Sequence, residues 1–131
     1  IEDLITKNKK YDFVTLWHVL EHFANPKDEL GKIKKLLNPG GVLLIEVPNL
    51  NSLKFKLAKS KWKGGNHPLY HRTFFTAKSL KETLRLDGFA KAKRLKISYE
   101  LPGKSILYNK SKDVFNVFAM DAFLDFAAVN L

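Results

Sequence analysis

Residues 17–23, WHVLEHF, hold three side chains that could do chemistry together. His18, Glu21 and His22 spell His-x-x-Glu-His, a pattern that also occurs in one class of zinc peptidases. In those enzymes the two histidines bind zinc, a third ligand comes from elsewhere, and the glutamate acts as a base. If residues 17–23 form a helix, the three side chains lie at i, i+3 and i+4 and share one face. The opposite face, which can reach a core, then carries Val19, Leu20 and Phe23.

The residues around this stretch argue against a peptidase. Residues 11–17 are β-branched and aromatic, which is typical of a strand. Asn25-Pro26 marks the start of a new helix, so a helix over 17–23 has barely two turns. The peptidase motif normally lies within a substantial helix, and short motifs match by chance often. The flanking residues therefore favour an element that links a strand to the next helix.

The order of elements over residues 11–49 predicts one βαβ crossover. Apolar residues repeat at helical spacing after Asn25-Pro26, and the Asn-Pro-Gly-Gly run at 38–41 ends that helix. Residues 42–47 are an apolar run typical of a parallel strand covered on both faces. Side chains just past Trp17 then project from the carboxyl end of a buried strand, where open α/β sheets bind their ligands.

The rest of the chain completes a single partial domain over residues 1–131. Residues 50–75 form a lysine-rich lid or loop. Residues 76–101 predict a helix and then a half-exposed strand, because the side chains of 94–101 alternate between apolar and polar. That strand is expected to be antiparallel or near an edge. Residues 113–131, rich in Phe and Ala, predict an amphipathic C-terminal helix.

The composition excludes several classes of protein. The chain has 131 residues, of which 45% are apolar and 27% charged, which is typical of a globular domain. It has no cysteine, so a disulfide framework and a cysteine-type zinc site are excluded, and a reducing, cytoplasmic location is expected. The net charge of +10 invites an anionic partner, although the lysines are spread over most segments as on a solvated surface.

Residues 11–49, YDFVTLWHVLEHFANPKDELGKIKKLLNPGGVLLIEVPN, resemble the second half of class I S-adenosylmethionine-dependent methyltransferases. The likeness is greatest to the small-molecule branch that includes ubiquinone-pathway-like O-methyltransferases, and it covers roughly residues 8–100. Upstream, the matching groups are Tyr11-Asp12, Val19-Leu20-Glu21-His22, Asn25-Pro26, Leu36-Leu37-Asn38-Pro39-Gly40-Gly41 and Val47-Pro48-Asn49. Downstream they are His67-Pro68, Phe74-Phe75-Thr76, Ser79-Leu80 and Asp87-Gly88-Phe89.

The resemblance implies a Rossmann-like α/β sheet of seven strands, parallel except for one. Residues 11–17, 42–47 and 94–101 match strands four, five and six, and the last strand has no clear counterpart before Leu131. The family holds its cofactor with a Gly-rich loop after strand one and an acidic residue after strand two. Neither is present here, so we expect the parent protein to be the enzyme and this chain alone to be inactive.

The resemblance also implies site residues. Leu16, Trp17 and His18 match positions that line the methionine and sulfonium region of S-adenosylmethionine. His18 and His71 are the candidates for a catalytic base, because histidine titrates near neutral pH. His67 lies in the same overhanging loop as His71, and His22 matches a residue that often fixes the local turn.

A metal site is an alternative interpretation of the same residues. Some relatives, including small-RNA 2′-O-methyltransferases and certain quinone methyltransferases, have Glu-x-x-Glu-His here and bind a divalent metal. This chain has His18 in place of the first glutamate. By resemblance, a metal would be held by His18, Glu21, His22 and His71. The principal expectation is that there is no metal.

Three functions from different classes follow. The favoured one is methyl transfer from S-adenosylmethionine to a small acceptor, an oxygen, with an anionic or lipid-linked substrate under a lysine-rich lid at 54–63. The second is a non-catalytic module that kept the half-fold and lost the cofactor site. The third is a basic binder of nucleic acid or membrane surfaces through lysines of 54–63 and 91–96. The exposed flank of strand 11–17 further predicts self-association.

Overall fold

The computed structural model describes residues 1–58, 70–95 and 123–130. Within them lies one four-stranded sheet, with the strands in the order β1-β2-β4-β3. The strands are β1 (Tyr11–Trp17), β2 (Leu37–Pro48), β3 (Phe89–Arg94) and β4 (Phe123–Asn130). The helices are α1 (Glu2–Thr6), α2 (Pro26–Leu36), α3 (Leu53–Ala58) and α4 (Ala77–Leu86), with one 3₁₀ turn at Leu20–His22.

The predicted βαβ crossover is confirmed. β1 occupies the predicted residues and pairs in parallel with β2, with Leu16 opposite Ile45 and Trp17 opposite Glu46. β2 begins earlier than predicted, at Leu37 directly after α2, and its register shifts where the Asn-Pro-Gly-Gly run forms a bulge. Gly40 has a φ of +78° there, a conformation that favours glycine.

The two long helices begin at the predicted residues, but α2 ends at Leu36, before the Asn-Pro-Gly-Gly run, which lies within β2. Pro26 is the first residue of α2, although the Asn25 side chain donates to Asp28 Oδ2 and caps no backbone amide. Thr76 caps α4 through a reciprocal pair of hydrogen bonds with Ser79. Gly88, with a φ of +76°, follows the end of α4 and leads into β3.

The prediction of a C-terminal helix is wrong over the described residues, since 123–130 form strand β4. β4 is antiparallel to both neighbours and lies between β2 and β3. Leu124, Phe126 and Ala128 are buried at every second position, which is the period of a strand. Pairing with β2 therefore outweighs the helix preference of the alanines. β4 also supplies the last strand that the sequence did not reveal.

The strand predicted at 94–101 begins earlier than expected. Phe89–Arg94 pairs antiparallel with β4, at the edge of the sheet as the structure describes it. Phe89 is buried at its start, because Gly88 turns the chain directly into the sheet. Residues 96–101 lie outside the described residues.

The two faces of the sheet differ sharply. One face packs into the core with α2 and α4, through buried residues that include Leu16, Leu43 and Ile45. On the other face Phe13 is 68% exposed and Trp17 is 46% exposed. Among the described residues, β1 has β2 as its only strand neighbour. The predicted self-association at this edge stays a prediction.

Candidate functional site

The candidate site begins where β1 and β2 end side by side. Their parallel register places Trp17 and Glu46 at the same edge of the sheet. The His18 amide continues the ladder by donating to the Glu46 carbonyl at 3.0 Å. The two parallel strands thus deliver Trp17, His18 and Glu46 to a single rim, as the crossover predicted.

The turn after β1 is sharper than the predicted helix. His18 has a φ of +53°, so the chain enters the left-handed region directly after the strand. Only Leu20–His22 form a 3₁₀ turn, and Leu20 anchors it with a fully buried side chain. A helix would have placed Val19 toward the core and Glu21 on the polar face. In the structure Val19 is exposed and Glu21 is buried. The side chains meet because the turn folds back, and not because they share a helix face.

A second segment, residues 70–73, is bound to this turn by three hydrogen bonds. The backbone amides of Arg72 and Thr73 both donate to the Glu21 carbonyl, at 2.8 Å and 3.1 Å. His22 Nδ1 lies 2.8 Å from the Tyr70 carbonyl oxygen. His71 lies between these anchors, and its ring contacts the His22 ring edge-on, with centroids 4.8 Å apart.

His18 lies between two carboxylates. Its Nδ1 is 3.2 Å from Glu21 Oε1, and its Nε2 is 2.9 Å from Glu46 Oε1. The Glu21 side chain is 2% exposed and that of Glu46 is 15% exposed, whereas the His18 ring is 40% exposed. The imidazole is therefore fixed in orientation by the protein and still reachable from solvent.

Glu21 is the most deeply buried acid of the site. Its residue exposure is 1%, and its second carboxylate oxygen, Oε2, is buried without a hydrogen-bond partner among the described residues. Ligand atoms of Glu21, His22 and His71 all lie within 4.8 Å of one another. These are the three described residues that are grouped closely enough to hold a metal ion.

Comparisons with known proteins place this arrangement in a family. The model of the methyltransferase domain family matches residues 2–93. The chain belongs to the methyltransferase domain family. Its β1–β2 pair and the rim at Trp17 are therefore the fourth- and fifth-strand region of a methyltransferase sheet, and the cofactor of this family is S-adenosylmethionine.

Individual relatives agree with that assignment. The chain is 32% identical over 92 residues to the uncharacterized protein MJ1123 of Methanocaldococcus jannaschii, covering 70% of this chain and 44% of that protein. It is 35% identical over 57 residues to a ubiquinone biosynthesis O-methyltransferase of Cereibacter sphaeroides, covering 44% of this chain and 23% of that enzyme. The chain thus spans less than half the length of these two proteins.

The fold is shared with solved structures of the methyltransferase family. A SAM-dependent methyltransferase of Thermotoga maritima superposes with a TM-score of 0.61 at 17% identity. The match covers 95% of this chain and 58% of that one. At this identity the comparison supports the fold alone, and it confirms a partial Rossmann-like sheet. No described helix of this methyltransferase domain is long and apolar enough to cross a membrane.

The methyltransferase-type site residues predicted from the sequence fall into separate environments. Trp17 and His18 are exposed at the rim, whereas Leu16 is 8% exposed and packs in the core, so only its backbone can face a cofactor. His71 joins His22 and Glu21, and His67 lies outside the described residues. The roles assigned to these residues stay predictions.

Sequence reasoning missed one residue of this site, Glu46. The signal was present, because Glu46 is the one charged residue of the apolar run 42–47 and it lies near the end of that run. An acid is depleted in buried strands unless it has a partner. The partner, His18, became apparent only through the parallel register of β1 and β2.

The described residues fit one side of the cofactor. Trp17 offers a large, half-exposed ring at the carboxyl end of β1, next to an imidazole fixed by two carboxylates. Such a rim suits the reacting end of a ligand that lies across the strand tips. The sequence contains no Gly-x-Gly run for phosphate-like or ribose contacts.

Proposed function

We propose that these residues form the acceptor-side half of an S-adenosylmethionine-dependent methyltransferase that methylates a small molecule on oxygen. The observation that supports this most directly is the parallel pairing of β1 with β2, which brings Trp17 and Glu46 to one rim in a chain of the methyltransferase family. The similarity to a ubiquinone biosynthesis O-methyltransferase favours a hydroxyl acceptor.

S-adenosylmethionine supplies a methyl group on a positively charged sulfur. The part of this chain is to orient the reactants in line and to exclude water, which accounts for much of the rate in such displacements. Trp17, half-exposed beside the turn, provides an apolar wall for that purpose. The ring would shield the reacting atoms from solvent on the β1 side.

A hydroxyl acceptor must lose its proton, and His18 is the better placed of the two histidine candidates. Glu21 Oε1 lies 3.2 Å from its Nδ1 and can orient the ring and stabilise its charged form. To act as a base the His18 ring must be neutral, with its proton on Nδ1 toward Glu21. Nε2 then carries a lone pair, which can turn from Glu46 to the acceptor hydroxyl and take its proton. The proton then resides on Nε2, next to the Glu46 carboxylate.

Binding of the cofactor is expected to need more than these residues. Helix N-termini and Gly-rich loops hold most of a dinucleotide-like ligand, and this chain has no such loop. We therefore infer that the protein containing the complete domain is the enzyme and that the 131-residue chain by itself is inactive. An anionic or lipid-linked acceptor remains our expectation, and the lysine-rich segment that would meet it lies largely outside the described residues.

The test is calorimetry with S-adenosylmethionine on the complete protein that includes these residues. We expect binding by the complete protein, a large loss with Trp17→Ala, and unchanged affinity with the control Phe13→Ala. Phe13 lies on the same face of β1, about 13 Å before the carboxyl end at ordinary strand rise. A complete protein that fails to bind the cofactor would overturn the proposal.

A further inference from the structure

Three large side chains are exposed on the segment of backbone that is bound to the turn after β1. Tyr70 is 62% exposed, Phe74 is 40% exposed, and Arg72 between them is also exposed. We propose that Arg72 binds an oxyanion, a carboxylate or a phosphate, on the methyl acceptor, and that the two flanking rings contact the aromatic part of that molecule. The inference rests on the proposed function in one respect, that the bound molecule is the methyl acceptor.

The backbone that carries these side chains is held at both ends. The amides of Arg72 and Thr73 donate to the Glu21 carbonyl at 2.8 Å and 3.1 Å. At the other end the Leu50 amide donates to the Phe75 carbonyl at 2.9 Å, and the Phe75 side chain is 3% exposed. A ligand that binds here does not have to order this backbone first, which favours its affinity.

Arg72 is attached to the same residue as the proposed base. Its amide binds the Glu21 carbonyl, and the Glu21 carboxylate lies 3.2 Å from His18 Nδ1. The guanidinium stands on a long side chain with several rotatable bonds. Because both groups are attached to one turn, a small acceptor can contact Arg72 with its anionic group while its hydroxyl faces His18.

The guanidinium of Arg72 is available to an anion. The chain has three arginines, and Arg85 forms an ion pair with Glu82 at 2.7 Å. Among the described residues the Arg72 side chain has no hydrogen bond or ion pair. The carboxylates of Glu21 and Glu46 instead contact His18. The net charge of +10 adds a general attraction for anions.

The types of side chain select the class of ligand. The planar fork of a guanidinium matches two oxygens of a carboxylate or a phosphate. An exposed ion pair by itself is weak, so an anion without a further contact should bind poorly. The rings of Tyr70 and Phe74 supply that further contact, because aromatic rings bury a large apolar area and pair favourably with each other. The ligand is therefore expected to combine an aromatic ring with an oxyanion.

An NMR titration of the ¹⁵N-labelled 131-residue chain tests the proposal with benzoate, phenyl phosphate and benzamide as probes. We expect benzoate, phenyl phosphate or both to shift the amide signals of residues 70–75 and the Arg72 Nε–H signal. The tighter of the two anions identifies the preferred oxyanion. Benzamide, which has the shape of benzoate without its charge, should bind about 10-fold more weakly or less. Equal binding of benzamide and both anions, or shifts confined to other segments, would overturn the site.

The titration needs no S-adenosylmethionine, so its result is separate from that of the cofactor experiment. A complete protein that fails to bind the cofactor would remove the methyl transfer and leave the anion site in place. A chain that binds neither benzoate nor phenyl phosphate would remove the anion site and leave the methyl transfer in place.

Variants of Arg72 distinguish a specific contact from general attraction. Arg72→Gln should weaken binding of the preferred anion about 10-fold. Arg72→Lys should weaken it less, about 3-fold, because it keeps the charge and loses the fork. The matched control is Lys78→Gln, which removes one charge from an exposed position in the first turn of α4 and should leave the affinity unchanged. Equal losses in Arg72→Gln and Lys78→Gln would mean that only net charge attracts the anion, which would overturn the site.

The contribution of the rings has its own readout. Tyr70→Ser and Phe74→Ser should each weaken binding of benzoate about 5-fold and leave the weak binding of acetate unchanged. Leu86→Ser, at a position on α4 that is 63% exposed, is the control and should change neither. The dispersion of the amide signals shows whether each variant is folded. Unchanged benzoate affinity in both ring variants would overturn the assignment of an aromatic ligand.

Discussion

Two turns of this molecule each bury a carboxylate oxygen without a hydrogen-bond partner among the described residues, and they differ in what surrounds it. Glu21 lies in the turn after β1, and Asp87 lies in the turn after α4. The imidazoles of His18, His22 and His71 lie around the Glu21 side chain, and two backbone amides donate to the Glu21 carbonyl. Near Asp87 are the ammonium groups of Lys27 and Lys34, and Lys34 donates instead to the Gly88 carbonyl at 2.8 Å.

The difference shows that a buried acid is not by itself a site. Burial raises the pKa of Asp87, and the nearby Lys27 partly offsets this rise. Because the pKa is raised on balance, the charged form of Asp87 costs stability in the folded state. Glu21 is buried more deeply, with 1% of the residue exposed, and its carboxylate contacts His18 and lies beside His22 and His71. Two experiments test this difference between the turns.

The larger effect is on the hydrogen bonds that hold segment 70–73 to the turn after β1. His22→Phe removes the hydrogen bond to Tyr70 and should cost about 1 kcal/mol, so the Arg72 and Thr73 amides, which bind Glu21, should exchange with solvent about 5-fold faster. Hydrogen exchange followed by NMR gives the rates directly.

The matched control lies at the other turn. Lys34→Met removes the donor to Gly88 and keeps most of the side chain. It should leave the exchange of the Arg72 and Thr73 amides unchanged. Faster exchange of these amides in the control would mean that the two turns are coupled through the core. The hydrogen bond from His22 to Tyr70 would then not be the specific cause of the protection.

The sequence predicted the parts of the fold that depend on near neighbours. The strand at 11–17 and the helix after Asn25-Pro26 follow from periodicity and capping over a few residues. The sequence did not predict β4, because its partner, β2, lies about 80 residues earlier and the alanines alone favour a helix. A strand that is inserted between two others is decided by those neighbours and not by its own residues.

The sequence predicted which residues belong to the candidate site, but not which of them lie together. His18, Glu21, His22 and His71 are all identifiable from the sequence as chemically capable. His18 lies between two carboxylates, whereas Glu21, His22 and His71 form a separate group, and this division depends on the left-handed turn at His18. It also depends on the amides of segment 70–73, which bind the Glu21 carbonyl across about 50 residues of chain. Contacts between residues so far apart in the chain leave no periodic pattern in the sequence.

The smallest effect is the pH dependence of stability at Asp87, and its sign follows from the raised pKa. An acid whose pKa is higher in the folded state binds more protons there, so the free energy of unfolding falls as pH rises through that range. Asp87→Asn removes the cost and should slightly raise Tm at pH 7. As pH falls below the folded-state pKa, and then below the ordinary value near 3.8, the advantage of the variant should shrink to nothing. A constant advantage at every pH would show that the buried charge of Asp87 is not its source.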